Sequence, residues 1–406
     1  MVKFRKTKDF TMKYKNIILL ISILILSSGC VKKEAKPKPS SIVINGTEPT
    51  VITQPVEQQP IIIEQQPVII TQPQQQVSPI ANIHSPYLMG VYANNPKLRR
   101  FIEEMINKYH FRRDYLYGLF SNVNRDVLAL KKYNVFGTSK PTLKSNSVGS
   151  WDKYPKFATE DRIINGVRFW RSYRYYLEKA AFIYGVAPEY ILGIIGVETN
   201  FGRDTGKHRV IDALTSLSLE YRKRSDFFTK QLEEYLLLTK EQRLNPLAIK
   251  GSYGGAFGIV QFMPDSFRDY AVDFDGDGKA DLFNPADAIG STANFFVKKG
   301  KWNPKIPVAV RVTYPKKRLY GVKTGYKTTY SQSYLRGLGM RPVNNFYGYK
   351  GPVCLIKLSH YDRDELWWGT NNFKAIARYN PRDYYVMSVH LLAQAIKQRY
   401  YQMYRD

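Results

Sequence analysis

Cysteine is scarce in this chain: only Cys30 and Cys354, among 406 residues, carry a thiol. Two cysteines exclude the disulfide framework on which many small secreted domains depend. The composition, 44% hydrophobic and 14% aromatic, is ample for a packed core, and the length suits one large domain or two to three smaller ones. Cys354 is accordingly expected to be a small buried residue of that core.

Acidic residues are also few, 34 against 61 lysines and arginines, which gives a formal net charge of +27. Such a balance favours polyanionic partners such as nucleic acid, an anionic membrane or an acidic polymer. The basic residues are scattered, however, and the chain lacks a zinc-finger, RRM or basic-zipper signature. No nucleic-acid partner is therefore predicted. The 31 tyrosines suit the binding of amphipathic ligands.

The N-terminus has the layout of an export signal. Basic residues between Lys3 and Lys15 precede an apolar segment at residues 16–29, which is short for a transmembrane helix. Residues 26–30 resemble a bacterial lipoprotein box, with Cys30 as the lipidated residue, although Ser27 stands where leucine is commonest. Because Val31 is not the aspartate that retains lipoproteins in the inner membrane, the outer membrane is favoured. An uncleaved membrane anchor is the alternative, and Met12 could be the true start.

The rest of the chain changes character several times. Residues 31–85 are rich in proline and glutamine and predict an extended tether. Helical patterns follow up to residue 130, and a longer helix with one apolar stripe is predicted at about 160–184. Further helices are expected near residues 213–217 and 227–238. Strand-like runs at 307–358 predict a small, mostly antiparallel region, before helix returns after Phe373.

The segment at residues 188–202 is the central feature of the sequence. Pro188 suits the first turn of a helix, and no polar side chain occurs from Ile191 to Val197, so this helix should be buried. Gly193 and Gly196 indicate close packing against it. Glu198 ends the apolar run, where lost solvation would raise its pKa toward that of a general acid. A solvent-exposed glutamate at a helix end is an equally good interpretation of this segment alone.

A glycine-rich segment occupies residues 250–264. It is not a phosphate loop, since no Gly-Lys-Ser/Thr follows, and Ser252 lacks the frame of a nucleophile elbow. Taken alone, it predicts a tight structural turn more than a ligand site.

The strongest local motif begins at Asp273. Carboxylates at positions 1, 3, 5 and 9 with glycine at position 6 match the front of an EF-hand calcium loop. Position 12 is Asn284 instead of glutamate, and Asp287 could close a longer loop. A structural Ca²⁺ site is therefore predicted, with an acidic surface turn as the alternative; its proposed ligands are Asp273, Asp275, Asp277, Lys279 and Asp287.

Four spaced segments together resemble one family, the membrane-bound lytic murein transglycosylases B. They are residues 194–199, the glycine-rich segment, the Asp273 loop and residues 378–380. Their order and spacing agree with the family from about residue 95 to the C-terminus. That combination is far more specific than any one motif.

The resemblance implies a mainly α (α+β) fold, with a lysozyme-like helical core flanked by a helical lobe and a small strand-rich lobe. The predicted divisions are a lipoprotein signal peptide (1–29), a tether (30–85), an N-terminal helical lobe (86–160), a catalytic core (161–304) containing the calcium loop (273–287), a strand-rich lobe (305–372) and a C-terminal helix that completes the groove (373–406).

The implied activity is non-hydrolytic cleavage of the β-1,4 bond between N-acetylmuramic acid and N-acetylglucosamine, which leaves a 1,6-anhydromuramyl end. Glu198 matches the catalytic acid, which then acts as base; assistance by the substrate's N-acetyl group would explain a single carboxylate. Phe295 stands where the family has a tyrosine. The residues that match the family's substrate groove are Tyr154, Ser252, Gln261, Phe295, Tyr379, Asn380 and Tyr385.

The resemblance also implies peptidoglycan as partner, whose peptide carboxylates suit a basic protein, and a periplasmic location on a lipid anchor. Two other functions fit the residues less well. A muramidase would use Asp204 or Asp212 as a second carboxylate. A non-catalytic wall-binding module would leave Glu198 with a structural role only.

Overall fold

Helices, a four-stranded sheet and a two-stranded sheet make up the computed structural model, which describes residues 83–135 and 147–404. The predicted signal peptide, the lipidation site Cys30 and nearly all of the tether lie outside these residues. Every described residue belongs to one compact unit.

The N-terminal part is helical, as predicted. It contains α1 (Pro96–Tyr109), α2 (Arg113–Ser121) and α3 (Val127–Lys132). Asn95 caps α1 by accepting hydrogen bonds from two backbone N–H groups of the first turn, and Asp126 caps α3 by accepting one, from Ala129 N. These caps, together with buried apolar side chains such as Ile102 and Leu116, fix the three short helices against the core.

The predicted helix at 160–184 is two helices, which corrects the sequence-based boundary. They are α4 (Glu160–Ser172) and α5 (Arg174–Tyr184), separated at Tyr173, whose backbone leaves the helical region with φ −116° and ψ 26°. The apolar stripe still faces the core, because Trp170 and Leu177 on either side of the break are buried. The periodicity of apolar residues predicted one continuous helix, because Tyr173 at the break belongs to the same apolar stripe.

The central helix α6 (Pro188–Thr199) is buried along its length, as its composition predicted. It packs most closely against the last helix, α13 (Asp383–Met403). A Cβ atom added at Gly193 would lie 2.8 Å from the carbonyl oxygen of Val389, and one at Gly196 would lie 2.7 Å from Leu392 Cδ2. The two glycines therefore permit the close approach of α13, which confirms the reason inferred for them.

The remaining elements of the helical core follow α6. They are β1 (His208–Arg209), α7 (Val210–Glu220), α8 (Ser225–Glu241), β2 (Lys250–Gly251), α9 (Pro264–Tyr270) and α10 (Pro285–Lys298). β1 and β2 form a short antiparallel pair. α10 packs against α5, and α7 packs against α8, so that α6 lies inside the layers of helices.

The strand-rich region forms an antiparallel sheet, as predicted, with the order β4-β3-β6-β5. Its elements are β3 (Ala309–Thr313), α11 (Gln332–Gly337), β4 (Arg341–Pro342), β5 (Cys354–Ser359) and β6 (Asp364–Gly369), after which α12 (Asn371–Ala377) leads to α13. On β5, Ile356 packs into the large helical core, whereas its neighbour Leu355 packs into a second cluster with Trp368. The sheet thus separates two hydrophobic cores.

No single helix within residues 83–135 and 147–404 has the length and hydropathy of a membrane span; α5 and α6 pass that test only as a pair, bent by 117°.

Candidate active site

Glu198 lies in the last turn of α6 and is half-buried, with its carboxyl at the edge of the core. Loss of solvation raises its pKa to about 7, partly offset by a hydrogen bond from Tyr385. The negative end of the helix dipole also disfavours the ionised form at this position. This shift has the direction that the sequence predicted, and the half-buried Glu198 is not a fully exposed charge at a helix end.

Tyr385, on α13, is the direct partner of Glu198. Its hydroxyl donates a hydrogen bond of 2.5 Å to Glu198 Oε1. The close packing of α13 on Gly193 and Gly196 brings these two side chains together. The geometry leaves Glu198 Oε2 as the carboxyl oxygen that is not engaged by Tyr385.

Two further tyrosines lie within electrostatic range of Glu198. The pKa of Tyr379 is raised well above its ordinary value, mainly by burial and also by the charge of Glu198. The pKa of Tyr154 is also raised, mainly by burial; the charge of Arg382 lowers it and that of Glu198 raises it. The hydroxyl of Tyr379 donates to the backbone carbonyl of Val260, whereas that of Tyr154 has no hydrogen-bond partner in the described part of the chain.

An aromatic cluster supports Tyr379. Phe295, on α10, is buried and meets the Tyr379 ring edge-on at a centroid distance of 4.8 Å. Phe262 and Tyr270 pack around Phe295 at 5.8 Å and 5.0 Å. The ring of Phe295 therefore positions Tyr379, and no hydroxyl is needed at residue 295 for that packing.

The glycine-rich segment forms a tight turn, as predicted, and three contacts join it to the end of α6. Thr199 Oγ1 donates to Ile259 O at 2.6 Å, and Gln261 Nε2 donates to Thr205 O at 2.9 Å. Gly206, with φ +99°, allows the third contact, because a Cβ atom there would lie 2.6 Å from Ser252 N.

The side chains of Ser252 and Gln261 are both fixed by hydrogen bonds, and each keeps one polar group without a hydrogen-bond partner among the described residues. Ser252 Oγ accepts hydrogen bonds from the N–H groups of Gly254 and Ala256, at 3.3 Å and 3.1 Å, so its own hydrogen remains available. Gln261 has a left-handed backbone, φ 51°, and uses both amide hydrogens on carbonyl oxygens, so its Oε1 remains available.

Asn380 follows Tyr379 in the turn between α12 and α13 and is half-buried. Its backbone carbonyl accepts from Arg382 N at 2.8 Å. Its side-chain amide makes no hydrogen bond within the described residues. Asn380 therefore offers both a donor and an acceptor beside Tyr379.

The two carboxylates considered as a second catalytic group are differently placed. Asp212 is buried and receives hydrogen bonds from the Arg209 guanidinium at 2.7 Å and 2.8 Å and from Asn124 N at 3.0 Å. Asp204 is exposed to solvent. Neither carboxylate is among the influences on the pKa of Glu198, which desolvation raises and the hydrogen bond from Tyr385 lowers.

The Asp273 loop brings together three of its five predicted ligands. One carboxylate oxygen from each of Asp273, Asp275 and Asp287 lies within 4.8 Å of the others. The Asp277 carboxylate is outside this group and accepts from the backbone N–H of Lys279 at 2.9 Å, and the ligand roles of Asp277 and Lys279 stay predictions. Asn284, at the twelfth position, donates to Asp275 Oδ2 at 2.6 Å instead of closing the loop.

Asp287 is fully buried at the centre of that group. Desolvation raises its pKa to about 6, although backbone N–H groups of Asp281 and Phe274 donate to it. Among the described residues it has no ion pair. Within the described residues, no basic side chain pairs with these three carboxylates. Such a group of carboxylate oxygens suits a hard divalent ion. These side chains therefore fit Ca²⁺.

Sequence reasoning missed the groups that hold Tyr154. Its ring stacks on Trp151 at 5.7 Å and meets Tyr384 edge-on at 5.4 Å, and Tyr384 in turn hydrogen-bonds Ser150. Trp151 lies three residues before Tyr154, so the sequence alone could have suggested that the two rings pack together. Tyr384 belongs to a different helix, and only the fold brings it to this position.

The candidate site is thus a half-buried carboxyl of raised pKa, set among aromatic rings and unengaged hydrogen-bonding groups on a helical core. The chain matches the family model described as Transglycosylase SLT domain over residues 93–394, and it belongs to that family.

Relatives agree with this assignment. The chain is 42% identical over 311 residues to membrane-bound lytic murein transglycosylase B of Escherichia coli (strain K12), covering 76% of this chain and 84% of that protein. Structures of the E. coli lytic transglycosylase SLT35, in complex with bulgecin A and with calcium, each share 39% identity at a TM-score of 0.71, covering 80% of this chain and 99% of theirs.

A second solved relative is the soluble lytic transglycosylase SltB1 from Pseudomonas aeruginosa. It shares 39% identity at a TM-score of 0.67 and covers 75% of this chain and 99% of its own. The predicted family and the mainly helical, lysozyme-like fold are thereby confirmed.

Proposed function

We propose that this protein cleaves peptidoglycan glycan strands with Glu198 acting alone, first as acid and then as base. As a member of its family the chain is a lytic murein transglycosylase, a lyase that leaves 1,6-anhydromuramyl ends. The observation that carries the residue assignment is the pKa of Glu198, raised to about 7 with no second carboxylate among its causes.

The acid step uses the free oxygen of Glu198. Because Tyr385 donates to Oε1, the proton of the neutral carboxyl resides on Oε2. A pKa near 7 keeps a large fraction protonated at neutral pH. Oε2–H donates its proton to the glycosidic oxygen as the bond from that oxygen to muramyl C1 breaks, so the leaving sugar departs with a neutral hydroxyl.

The base step returns the enzyme to its starting state. Glu198, now a carboxylate, takes the proton from the muramyl C6 hydroxyl as that oxygen bonds to C1. The product is the 1,6-anhydro ring, and no water is consumed. Tyr385 stabilises the carboxylate between the two steps, since its hydrogen bond favours the charged form.

Because no carboxylate among the described residues contributes to the pKa of Glu198, we assign stabilisation of the cationic C1 centre to the substrate's own acetamido group. Asp212 is held by Arg209 and Asn124, and Asp204 is in solvent. A retaining hydrolase would need a partner carboxyl about 5–5.5 Å from Glu198, and an inverting one about 6.5–9.5 Å.

Substrate is oriented by polar atoms that the protein leaves unengaged. The Ser252 hydroxyl hydrogen and Gln261 Oε1 are offered on the loop attached to the end of α6, and they suit the N–H and C=O of acetamido groups. The Tyr154 hydroxyl and Asn380 amide complete the set. Tyr379 and Phe295 act by packing, since the Tyr379 hydroxyl is bound to Val260.

Calcium is proposed as a structural ion held by Asp273, Asp275 and Asp287. The ion would supply the positive charge that these carboxylates lack. Their loop contacts the glycine-rich segment directly, because Ile259 N donates to Leu282 O at 2.8 Å. By fixing this loop, the ion would help to fix the position of Gln261, which lies two residues from Ile259. The ion itself would not contact the substrate.

Attachment to the outer membrane through a lipid on Cys30 is proposed from the sequence. The name of the E. coli relative describes a membrane-bound enzyme, which supports membrane association in the periplasm. The Pro/Gln-rich segment at 30–85 would then give the folded part its reach toward peptidoglycan.

Product analysis tests the reaction. Purified peptidoglycan is digested and its fragments are resolved by mass spectrometry. Anhydromuramyl ends without uptake of water are expected. Reducing ends, heavier by one water, would instead make the protein a muramidase, and the release of no fragment would leave only binding.

A further inference from the structure

A second concave site lies at the other end of α6 from Glu198. It is a cavity of about 820 Å³ between the start of α6, one face of α13, and strands β3 and β6. This volume is in the range typical of ligand pockets, about 300–1,000 Å³. Glu189 lines it, nine residues before Glu198, which is about 14 Å along the helix. The cavity is therefore separate from the cleavage site.

The floor of this cavity is a chain of buried polar side chains. Gln394 Nε2 donates to the Tyr190 hydroxyl at 3.2 Å, and that hydroxyl lies 3.0 Å from His390 Nδ1. Burial lowers the pKa of His390 to about 4, so its ring is neutral at pH 7. Nδ1 is the one hydrogen-bond acceptor that the Tyr190 hydroxyl hydrogen has among the described residues, so we assign the hydroxyl as donor to Nδ1. The single ring proton of His390 is thus on Nε2, a donor with no partner among the described residues.

Each of the two carboxylates that line the cavity has one partner in the protein. Glu189 pairs with Lys397 at 2.8 Å, and Glu365 accepts from Trp367 Nε1 at 2.7 Å. Lys305 and Arg311, by contrast, line the rim, are exposed, and form no ion pair within the part of the chain that the structure describes. Three cationic side chains, Lys305, Arg311 and Lys397, thus line the cavity against two carboxylates, so its lining carries net positive charge.

The net positive charge favours an anionic ligand. Sugar hydroxyls need acceptors as well as donors, whereas a carboxylate needs donors only. The rings of Trp302 and Trp367 add apolar walls that suit small aliphatic side chains.

We infer that this cavity binds the carboxylate-bearing stem peptide of peptidoglycan, with Lys305 and Arg311 pairing its carboxylates and His390 donating from the floor. The inference rests on the proposed function, because it takes the same polymer as substrate. It gives the enzyme a second contact with the wall, about one helix length from the bond that is cleaved.

Calorimetric titration tests the inference on the Glu198→Gln protein, so that no probe is cleaved. The probes are a synthetic stem tetrapeptide and a peptide-free glycan oligomer. The double variant Lys305→Gln/Arg311→Gln is expected to bind the tetrapeptide about tenfold more weakly or worse. Lys316→Gln/Lys317→Gln removes two exposed cations of the same region that do not line the cavity, and it should bind like the parent.

The remaining outcomes overturn the inference. They are no binding of the tetrapeptide by the parent, equal affinity in the cavity variant, or an equal loss in the two double variants. A loss of glycan binding as large as the loss of peptide binding would likewise assign the cavity to sugar. Cleavage of peptide-free glycan by the cavity variant with Glu198 intact is measured alongside. If this variant releases anhydromuramyl products, the proposed function stands, whatever the result of the titration.

Discussion

Glu198 combines exposure sufficient for substrate contact with enough burial to raise its pKa to about 7. The apolar run before it was a sound basis for predicting that shift. Its partner Tyr385 is 187 residues away and is brought to it only by the packing of α13 on α6. The acid was thus predictable from local sequence, whereas the group that tunes it came only from family resemblance.

The pH dependence of cleavage reports the pKa of Glu198 and the effect of Tyr385 on it. Glu198 must be protonated to act as acid, so activity should fall as pH rises through about 7. Tyr385→Phe removes a hydrogen bond that lowers the pKa of Glu198. The alkaline limb should therefore move to higher pH, with a rate reduced by about tenfold or more.

Tyr384→Phe is the matched control for that measurement. It deletes a neighbouring hydroxyl that binds Ser150 and not Glu198, so its pH profile should keep the limb of the parent enzyme. A limb that stays fixed or moves to lower pH in Tyr385→Phe would contradict the role given to its hydrogen bond.

At the scale of elements, the α6–α13 contact is the feature on which the site depends. Gly193→Ala gains about 1 kcal/mol of helix propensity but places a methyl group 2.8 Å from the Val389 carbonyl. A net loss of about 1–2 kcal/mol in the free energy of unfolding is expected, since the backbone cannot yield cheaply. Denaturant unfolding measures it.

Gly337→Ala, on α11, is the control for that substitution. Nothing lies within 4 Å of a Cβ atom there, so its stability should be unchanged or slightly higher. If Gly193→Ala were as stable as Gly337→Ala, the close approach of α13 would not depend on the glycine.

The calcium loop is the second element that can be tested. Calcium should raise the melting temperature of the parent, by the equivalent of about 2.7 kcal/mol at a free concentration of 100 times Kd. Asp275→Asn and Asp287→Asn should lose most of this response, whereas Asp269→Asn, an exposed aspartate outside the loop, should keep it. An equal calcium response in all four proteins would contradict the site.

Element boundaries show why sequence patterns have limits. The apolar stripe of residues 160–184 continues across Tyr173, so periodicity could not locate the break between α4 and α5. In the Asp273 loop, spacing predicted five ligands, and the structure gathers the carboxylates of three of them, Asp273, Asp275 and Asp287. Backbone geometry, which spacing does not encode, decides where a helix ends and which side chains meet.

At the scale of the whole molecule, the sequence predicted a helical core with an antiparallel strand region. It did not reveal that the sheet separates two cores, nor the cavity between α6, α13 and the sheet. That cavity is lined by residues from segments far apart in the chain, such as Tyr190, Trp302 and His390. The boundaries of the predicted lobes stay a prediction.

Attachment to the membrane belongs to the whole molecule as well. Cys30→Ala should move the protein from the membrane fraction to the soluble periplasmic fraction and abolish incorporation of labelled fatty acid. Cys354→Ala alters the other cysteine, which is buried in the core, and should leave both properties unchanged. Retention of Cys30→Ala in the membrane would favour an uncleaved anchor instead of a lipid.

The central claim, one carboxyl that serves as both acid and base, is tested most directly by comparing three proteins on purified peptidoglycan. Glu198→Gln should release no anhydromuramyl product while keeping the circular dichroism and unfolding transition of a folded protein. Asp204→Asn and the parent should release it at similar rates. Full activity in Glu198→Gln, or its loss in a folded Asp204→Asn protein, would contradict the account.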